Sequence, residues 1–320
     1  MTGLSAQAQA VLAERAEAGG RPMREAPLEE SRAGQWEWLP YMGEPADLAK
    51  VEDRFIPSRS AEIPVRIYTP PGEGPFPALV AFHGGCWIVG NIDLADRPHR
   101  LLSSTTGCVV VAVNYQKAPE HPFPVPLEDC YAGYRWTFDH ADELGVERSR
   151  IGVAGDSAGG NLAAAVCLKA RELNEQLPAA QLLIYPALDP QLETASAKEF
   201  ADGYGLTTED MRWSWEQYAP EAAARSTALV APLQAASLGG LPPAVVVTAE
   251  FDILRDEGLA YAERLAAADV PTVPLHYQDS IHGFLWMAGR AEATTRMLGD
   301  VREGLRTVGM IRSRIESVDR

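Results

Sequence analysis

Two stretches of this chain alternate with nothing polar. Val109-Val110-Val111-Ala112-Val113 and Val245-Val246-Val247 are near-continuous apolar runs too short for helices. A strand with one wet face alternates apolar and polar residues; a strand written entirely in apolar residues is buried on both faces. That happens in parallel sheets covered by helices. Further β-rich runs lie near 51–56, 62–69, 77–83, 108–115, 150–155, 181–185, 244–249 and 272–277. Helix-like stretches fall at 95–106, 126–140, 158–174, 208–218, 255–268 and 291–309. The first two runs are close enough for an antiparallel hairpin. The later alternation predicts an open, mostly parallel α/β sheet wound on both sides.

The length of 320 residues suits one large α/β domain with a modest cap. With 46% hydrophobic and 22% charged residues a large core is available. A formal net charge of −16 disfavours nucleic acid and anionic headgroups as partners. No apolar run approaches 18 residues, the least a membrane span needs, and residues 1–20 read as an Ala/Glu/Gln helix and not a signal peptide, so the expected location is cytoplasmic. Cys86, Cys108, Cys130 and Cys167 form no Cys-x-x-Cys pair and are expected as free thiols; no His/Cys cluster has metal-ligand spacing.

The domain reading divides the chain into residues 1–50 and a main domain over 51–320. Nearly 60 residues separate Tyr185 from the strand starting near Ala244, where a crossover needs roughly a dozen. The excess, about 188–220, holds Tyr204, Trp213, Trp215 and Tyr218. With residues 1–50 it reads as a cap, because it leaves the carboxyl side of a strand, where open α/β sheets bind ligands. The competing reading is an insertion packing its own small core. Trp36, Trp38, Tyr41, Trp213 and Trp215 are candidate pocket walls or anchors between cap and sheet.

Residues 151–160 read Ile-Gly-Val-Ala-Gly-Asp-Ser-Ala-Gly-Gly, an apolar strand entering a turn, with helix-like Asn161-Leu162-Ala163-Ala164-Ala165 beyond. Strand, Gly-x-Ser-x-Gly and helix in that order make a sharp turn that exposes a strained serine. Ser157 is therefore the candidate nucleophile. The helix start points amides at developing negative charge. Leu79-Val80-Ala81-Phe82-His83-Gly84-Gly85-Cys86-Trp87 is a second strand opening into a glycine loop. Acyl transfer needs preorganised amide donors for an oxyanion. Gly84 and Gly85, with Ala158 after the nucleophile, are the expected set; His83 is expected to orient the loop.

A serine hydroxyl needs a base, and the base an orienting acid, which in this architecture follow in the order Ser, Asp or Glu, His. Asp252 lies just beyond the Val-Val-Val strand, with Glu250 the alternative; Asp256 and Glu257 are read as the start of a helix, where acids suit the dipole. His282 lies after the last strand, whereas His276 sits within it. His99, His121 and His140 precede Ser157. A histidine, with an ordinary pKa of about 6.5, can take and return a proton near neutral pH.

Together these stretches resemble the bacterial hormone-sensitive-lipase-like esterases. The likeness rests on His83-Gly84-Gly85-Cys86-Trp87, on Asn114-Tyr115-Gln116-Lys117-Ala118-Pro119-Glu120-His121-Pro122-Phe123-Pro124, and on the Ser157 turn. Asp252-Ile253-Leu254-Arg255-Asp256-Glu257-Gly258 and His282-Gly283-Phe284 complete it. It covers about residues 60–310. It implies an α/β-hydrolase fold with eight strands, and a cap from the N-terminal region plus the segment after Tyr185-Pro186. It also implies a serine carboxylesterase acting on short- to medium-chain esters without a cofactor, often as a homodimer. A second copy would meet the last strand if that strand is a sheet edge, although Pro271 and Pro274 blunt it. One departure stands out: the family's third loop glycine is Cys86 here. Its side chain is expected to narrow the site against bulky alcohol groups, making Cys86 and Trp87 candidate substrate contacts. The alternatives are amidase or peptidase chemistry on the same fold, since one fold hosts many reactions, or a catalytically dead binding protein, against which Ser157, Asp252 and His282 all stand.

Overall fold

A computed structural model describes residues 3–19 and 21–312. Eight strands form a single sheet: β1 Lys50–Pro57, β2 Glu62–Thr69, β3 Phe76–Phe82, β4 Val109–Val113, β5 Val146–Asp156, β6 Gln181–Ile184, β7 Ala244–Phe251 and β8 Thr272–Ile281. Their spatial order is β1-β2-β4-β3-β5-β6-β7-β8. β1 pairs antiparallel with β2, and β2 with β4, whereas every later pairing is parallel. The expected hairpin and parallel sheet are both present. Every residue of β4 and β6 is buried, which is why the sequence there carries no alternation. β1 and β8 stand at the two edges.

Between the strands run α3 (Asp96–Thr106), α4 (Val125–Asp139), α5 (Ala158–Glu172), α8 (Arg255–Ala267) and α9 (Glu292–Thr307), each within a residue or two of its expected span. α3 packs on α9 and α4 on α5, covering the sheet on both sides. The N-terminal region folds as α1 (Ala6–Ala18) and α2 (Leu28–Gly34), followed by a 3-10 turn, Gln35–Tyr41. The long excursion after β6 contains α6 (Ala195–Glu199) and α7 (Thr208–Tyr218). Among the described residues no helix is long and apolar enough to cross a membrane.

β5, β7 and β8 run past their expected spans, β5 from Val146 to Asp156. β7 continues through a bulge between Ala249 and Phe251, and β8 runs on to Ile281. Charged Glu250 and Asp279 broke the apolar pattern, but backbone pairing does not depend on it. The extension brings Phe251 opposite Ile281, so Asp252 and His282 leave the sheet side by side. In the same way Asp156 pairs with Ile184, so Ser157 and Tyr185 emerge together.

Candidate active site

Ser157 follows β5 directly and caps α5, at φ 57° and ψ −119°. A side chain at Gly159 would overlap the carbonyl oxygen of Phe82, and one at Gly155 would overlap that of Gly159, so the turn closes only on glycines. Ser157 Oγ lies 2.9 Å from His282 Nε2. His282 Nδ1 lies 2.7 Å from Asp252 Oδ2, and the amide of Leu254 donates to Asp252 Oδ1 at 2.9 Å. Asp252 is buried. With a carboxylate against Nδ1, that nitrogen holds the proton and Nε2 is left to accept one from Ser157. The three residues named from sequence order are thus in one hydrogen-bonded chain. Glu250 is not in it, since its carboxylate pairs with Arg255 at 2.6 Å and His276 at 2.8 Å. His276 also reaches Thr248 at 2.9 Å, which fits its expected structural role.

The glycine loop departs from the expected donor set. The amide of Gly84 donates to Asp156 Oδ1 at 2.8 Å and is not free for an oxyanion. The amides of Gly85 and Cys86 donate to no acceptor among the described residues. Ala158 opens α5, where a helix leaves its amides without intrahelical partners. The amides of Gly85, Cys86 and Ala158 are thus left without an acceptor among the described residues. Gly85 has φ 120°, a region that suits glycine, and Cys86 and Trp87 follow at 54° and 60°.

Asp156 was missed as a functional position. Its side chain takes the Gly84 amide on one oxygen and Trp286 Nε1–H on the other, at 2.8 Å each. Burial raises its pKa, against the pull of these two donors. A charged residue inside an otherwise apolar turn was the available signal, because a buried carboxylate must find donors. His83 is buried and stacks on Tyr115 at 4.4 Å. Its Nδ1–H donates to the Gly84 carbonyl at 2.7 Å, and burial drives its pKa well down, so it is a neutral loop support. Tyr185, at φ 36°, lays its ring 4.7 Å from that of His282.

Of the two candidate substrate contacts, Trp87 is fully buried and Cys86 is mostly buried. Trp87 has no exposed surface; it stacks on Tyr218 at 4.4 Å and meets Trp215 at 4.3 Å, both on α7. Burial pushes the pKa of the Cys86 thiol up to about 11. The side chain expected to narrow the alcohol side is itself mostly buried. Of the other aromatics, Trp215 is a buried anchor, Trp213 packs on Ile88, Val89 and Ala118, Trp38 meets Tyr41 edge-on, and Trp36 is exposed.

Asp256 and Glu257 do open α8, yet they do more than suit its dipole. Asp256 accepts the Ser196 amide at 2.8 Å, and fully buried Glu257 accepts that of Leu188 at 2.6 Å. Both tie the segment after β6 to the loop that carries Asp252. All four cysteines are buried free thiols. Among the described residues no group of three His, Cys, Asp or Glu side chains could hold a metal.

Residues 79–286 match the family described as the alpha/beta hydrolase fold. The carboxylic ester hydrolase LipN of Mycobacterium tuberculosis is 41% identical over 81% of this chain and 71% of its own length. An arylesterase of Saccharolobus solfataricus is 36% identical over 79% and 82% of the two chains. The crystal structure of a thermostable esterase from Pseudomonas putida superposes with a TM-score of 0.90 at 35% identity, covering 98% of this chain and 99% of that one. Sheet order, turn geometry and these similarities agree: the chain belongs to the α/β-hydrolase fold family, in its hormone-sensitive-lipase-like branch.

Proposed function

We propose that this chain is a serine carboxylesterase that hydrolyses short- to medium-chain esters through an acyl-enzyme on Ser157. The observation that carries the reading is the unbroken chain from Ser157 Oγ through His282 to buried Asp252, at 2.9 and 2.7 Å. Ser157 Oγ attacks the ester carbonyl while its proton passes to His282 Nε2. Asp252 holds the Nδ1 proton and stabilises the imidazolium. The oxyanion takes the amides of Gly85, Cys86 and Ala158. As the intermediate collapses, the C–O bond to the alcohol breaks and His282 returns the proton to that oxygen. Water then attacks the acyl-enzyme with His282 again as base, releasing the acid and restoring Ser157. Residues 1–50 and the segment holding α6 and α7 form the cap over this site.

The acyl range comes from the family, and an arylesterase among the relatives makes aryl esters the natural first substrates. The test is a series of 4-nitrophenyl esters of rising chain length beside the matching anilides. Wild-type protein should prefer the shorter esters, and Ser157→Ala should lose about 10⁶ in kcat, the scale seen on removing such a serine. A loss under about tenfold would place the nucleophile elsewhere. Anilides turned over as fast as esters would favour amidase chemistry.

A further inference from the structure

Three segments of the site meet at one buried carboxylate. Asp156 is the last residue of β5, immediately before Ser157. Its Oδ1 accepts the Gly84 amide of the glycine loop at 2.8 Å, and its Oδ2 accepts the indole N–H of Trp286 at 2.8 Å. Trp286 stands in the 3-10 turn Phe284–Met287, which His282 and Gly283 lead into. The nucleophile, the base and the candidate oxyanion donors therefore lie on segments that share Asp156 as a tether. A side chain at Gly84 would overlap Asp156 Oδ2, so the tether closes only on a glycine.

Peptide geometry sets what this tether holds. The Gly84 carbonyl and the Gly85 amide belong to one planar unit and point in opposite directions. His83 Nδ1–H donates to that carbonyl at 2.7 Å, while Asp156 takes the N–H on the other side of Gly84. With both polar atoms of Gly84 held, the direction of the Gly85 N–H is held as well. The Trp286 bond acts at the other end, tying the turn after His282 to the strand that carries Ser157. Both carboxylate oxygens face N–H donors, so a proton on either would oppose one of the two bonds.

Resting on the esterase reading above, we propose that Asp156 is a positioning residue. It locks the glycine loop and the His282 loop to the nucleophile turn as one unit, so that the Gly85 amide and His282 are in place together before a substrate arrives. Preorganisation of this kind favours the transition state over the bound ester, so its loss falls on kcat. Trp286 is the arm that a side-chain change can open while the Gly84 bond stays.

The experiment compares wild type, Asp156→Asn, Trp286→Phe and the double variant on 4-nitrophenyl acetate. Titration with an alkyl 4-nitrophenyl phosphonate counts competent Ser157, and a melt checks the fold. Asparagine offers one oxygen and one NH2 where the carboxylate offers two acceptors, so it sets a donor against a donor at one arm. Asp156→Asn should lower kcat by about 10², the scale of one misplaced donor, with KM changed less than about twofold. Trp286→Phe keeps a ring but not the N–H and should lower kcat about fivefold at constant KM. The double variant removes the donor that the asparagine NH2 opposes, so it should be no worse than Asp156→Asn alone. Wild-type kcat in either single variant, a loss confined to KM, or losses that multiply in the double variant would each overturn the proposal. Should Asp156→Asn fail to fold, Trp286→Phe decides: a kcat loss at constant KM supports the tether, and unchanged kcat overturns it. Wild-type protein with neither turnover nor phosphonate labelling would remove the esterase reading and this proposal with it.

Discussion

Ser157 and the Cys86-Trp87 pair all stand at positive φ, held by neighbours of different kinds. Ser157 is held at positive φ by the strand before it, the helix after it and glycines that allow the approach. Trp87 is held by Trp215 and Tyr218, far along the chain. The first arrangement is local and legible in ten consecutive residues; the second is not, since no spacing rule connects position 87 to positions 215 and 218. The same contrast explains the mistaken donor. Counting glycines favoured Gly84, whereas the amide of Gly84 is taken by Asp156, and only the folded chain brings that carboxylate there. At this scale the acid makes the sharpest test. Asp252→Asn keeps the shape but presents the wrong hydrogen to His282 Nδ1. Its kcat should fall by about 10⁴ without loss of fold, measured as steady-state hydrolysis beside a circular dichroism melt.

Among the elements, the strand ends do most of the positioning. Ser157 is the first residue after β5, Asp252 the first after β7 and His282 the first after β8. A parallel sheet aligns carboxyl ends, so residues separated by long stretches of sequence meet there without a dedicated loop. Apolar runs located the strands well. They underestimated β7 and β8, because the last paired residues include charged ones whose backbones still form the ladder. The helix expected at 208–218 is found as α7, Thr208–Tyr218. Its aromatics were left open between pocket wall and anchor; Trp215 is an anchor, buried against Trp87. Trp215→Ala should therefore cost about 3–5 kcal/mol of stability, read from the denaturant midpoint. A cost below about 1 kcal/mol would mean that α7 is docked by other contacts.

For the molecule as a whole, Glu257 couples stability to pH. It is fully buried at the join between α8 and the segment after β6, and burial holds its pKa well above the usual carboxylate range. The folded protein therefore keeps this proton at pH values where the unfolded chain, with an ordinary glutamate pKa of about 4.3, has released it. Where the native state binds more protons, stability falls as pH rises. Glu257→Gln retains an acceptor for the Leu188 amide but has no such proton. Its melting temperature should gain on wild type as the pH is raised from about 4 to about 8. Melting curves that stay parallel across that range would mean that the native carboxyl is not held protonated.

By itself the sequence determined the class of the fold, the strand and helix order, and the identity and order of Ser157, Asp252 and His282. Those depend on periodicity, on turn chemistry and on chain order, which are local or nearly so. Only the tertiary structure decided which amides remain free, where Trp87 directs its side chain, and what ties the segment after β6 to the rest of the chain. Each of these depends on a partner distant in the chain: Asp156 for Gly84, Trp215 and Tyr218 for Trp87, and Leu188 for Glu257. A hydrogen-bond donor is available or not according to what the folded chain brings against it, and that is a property of packing rather than of pattern.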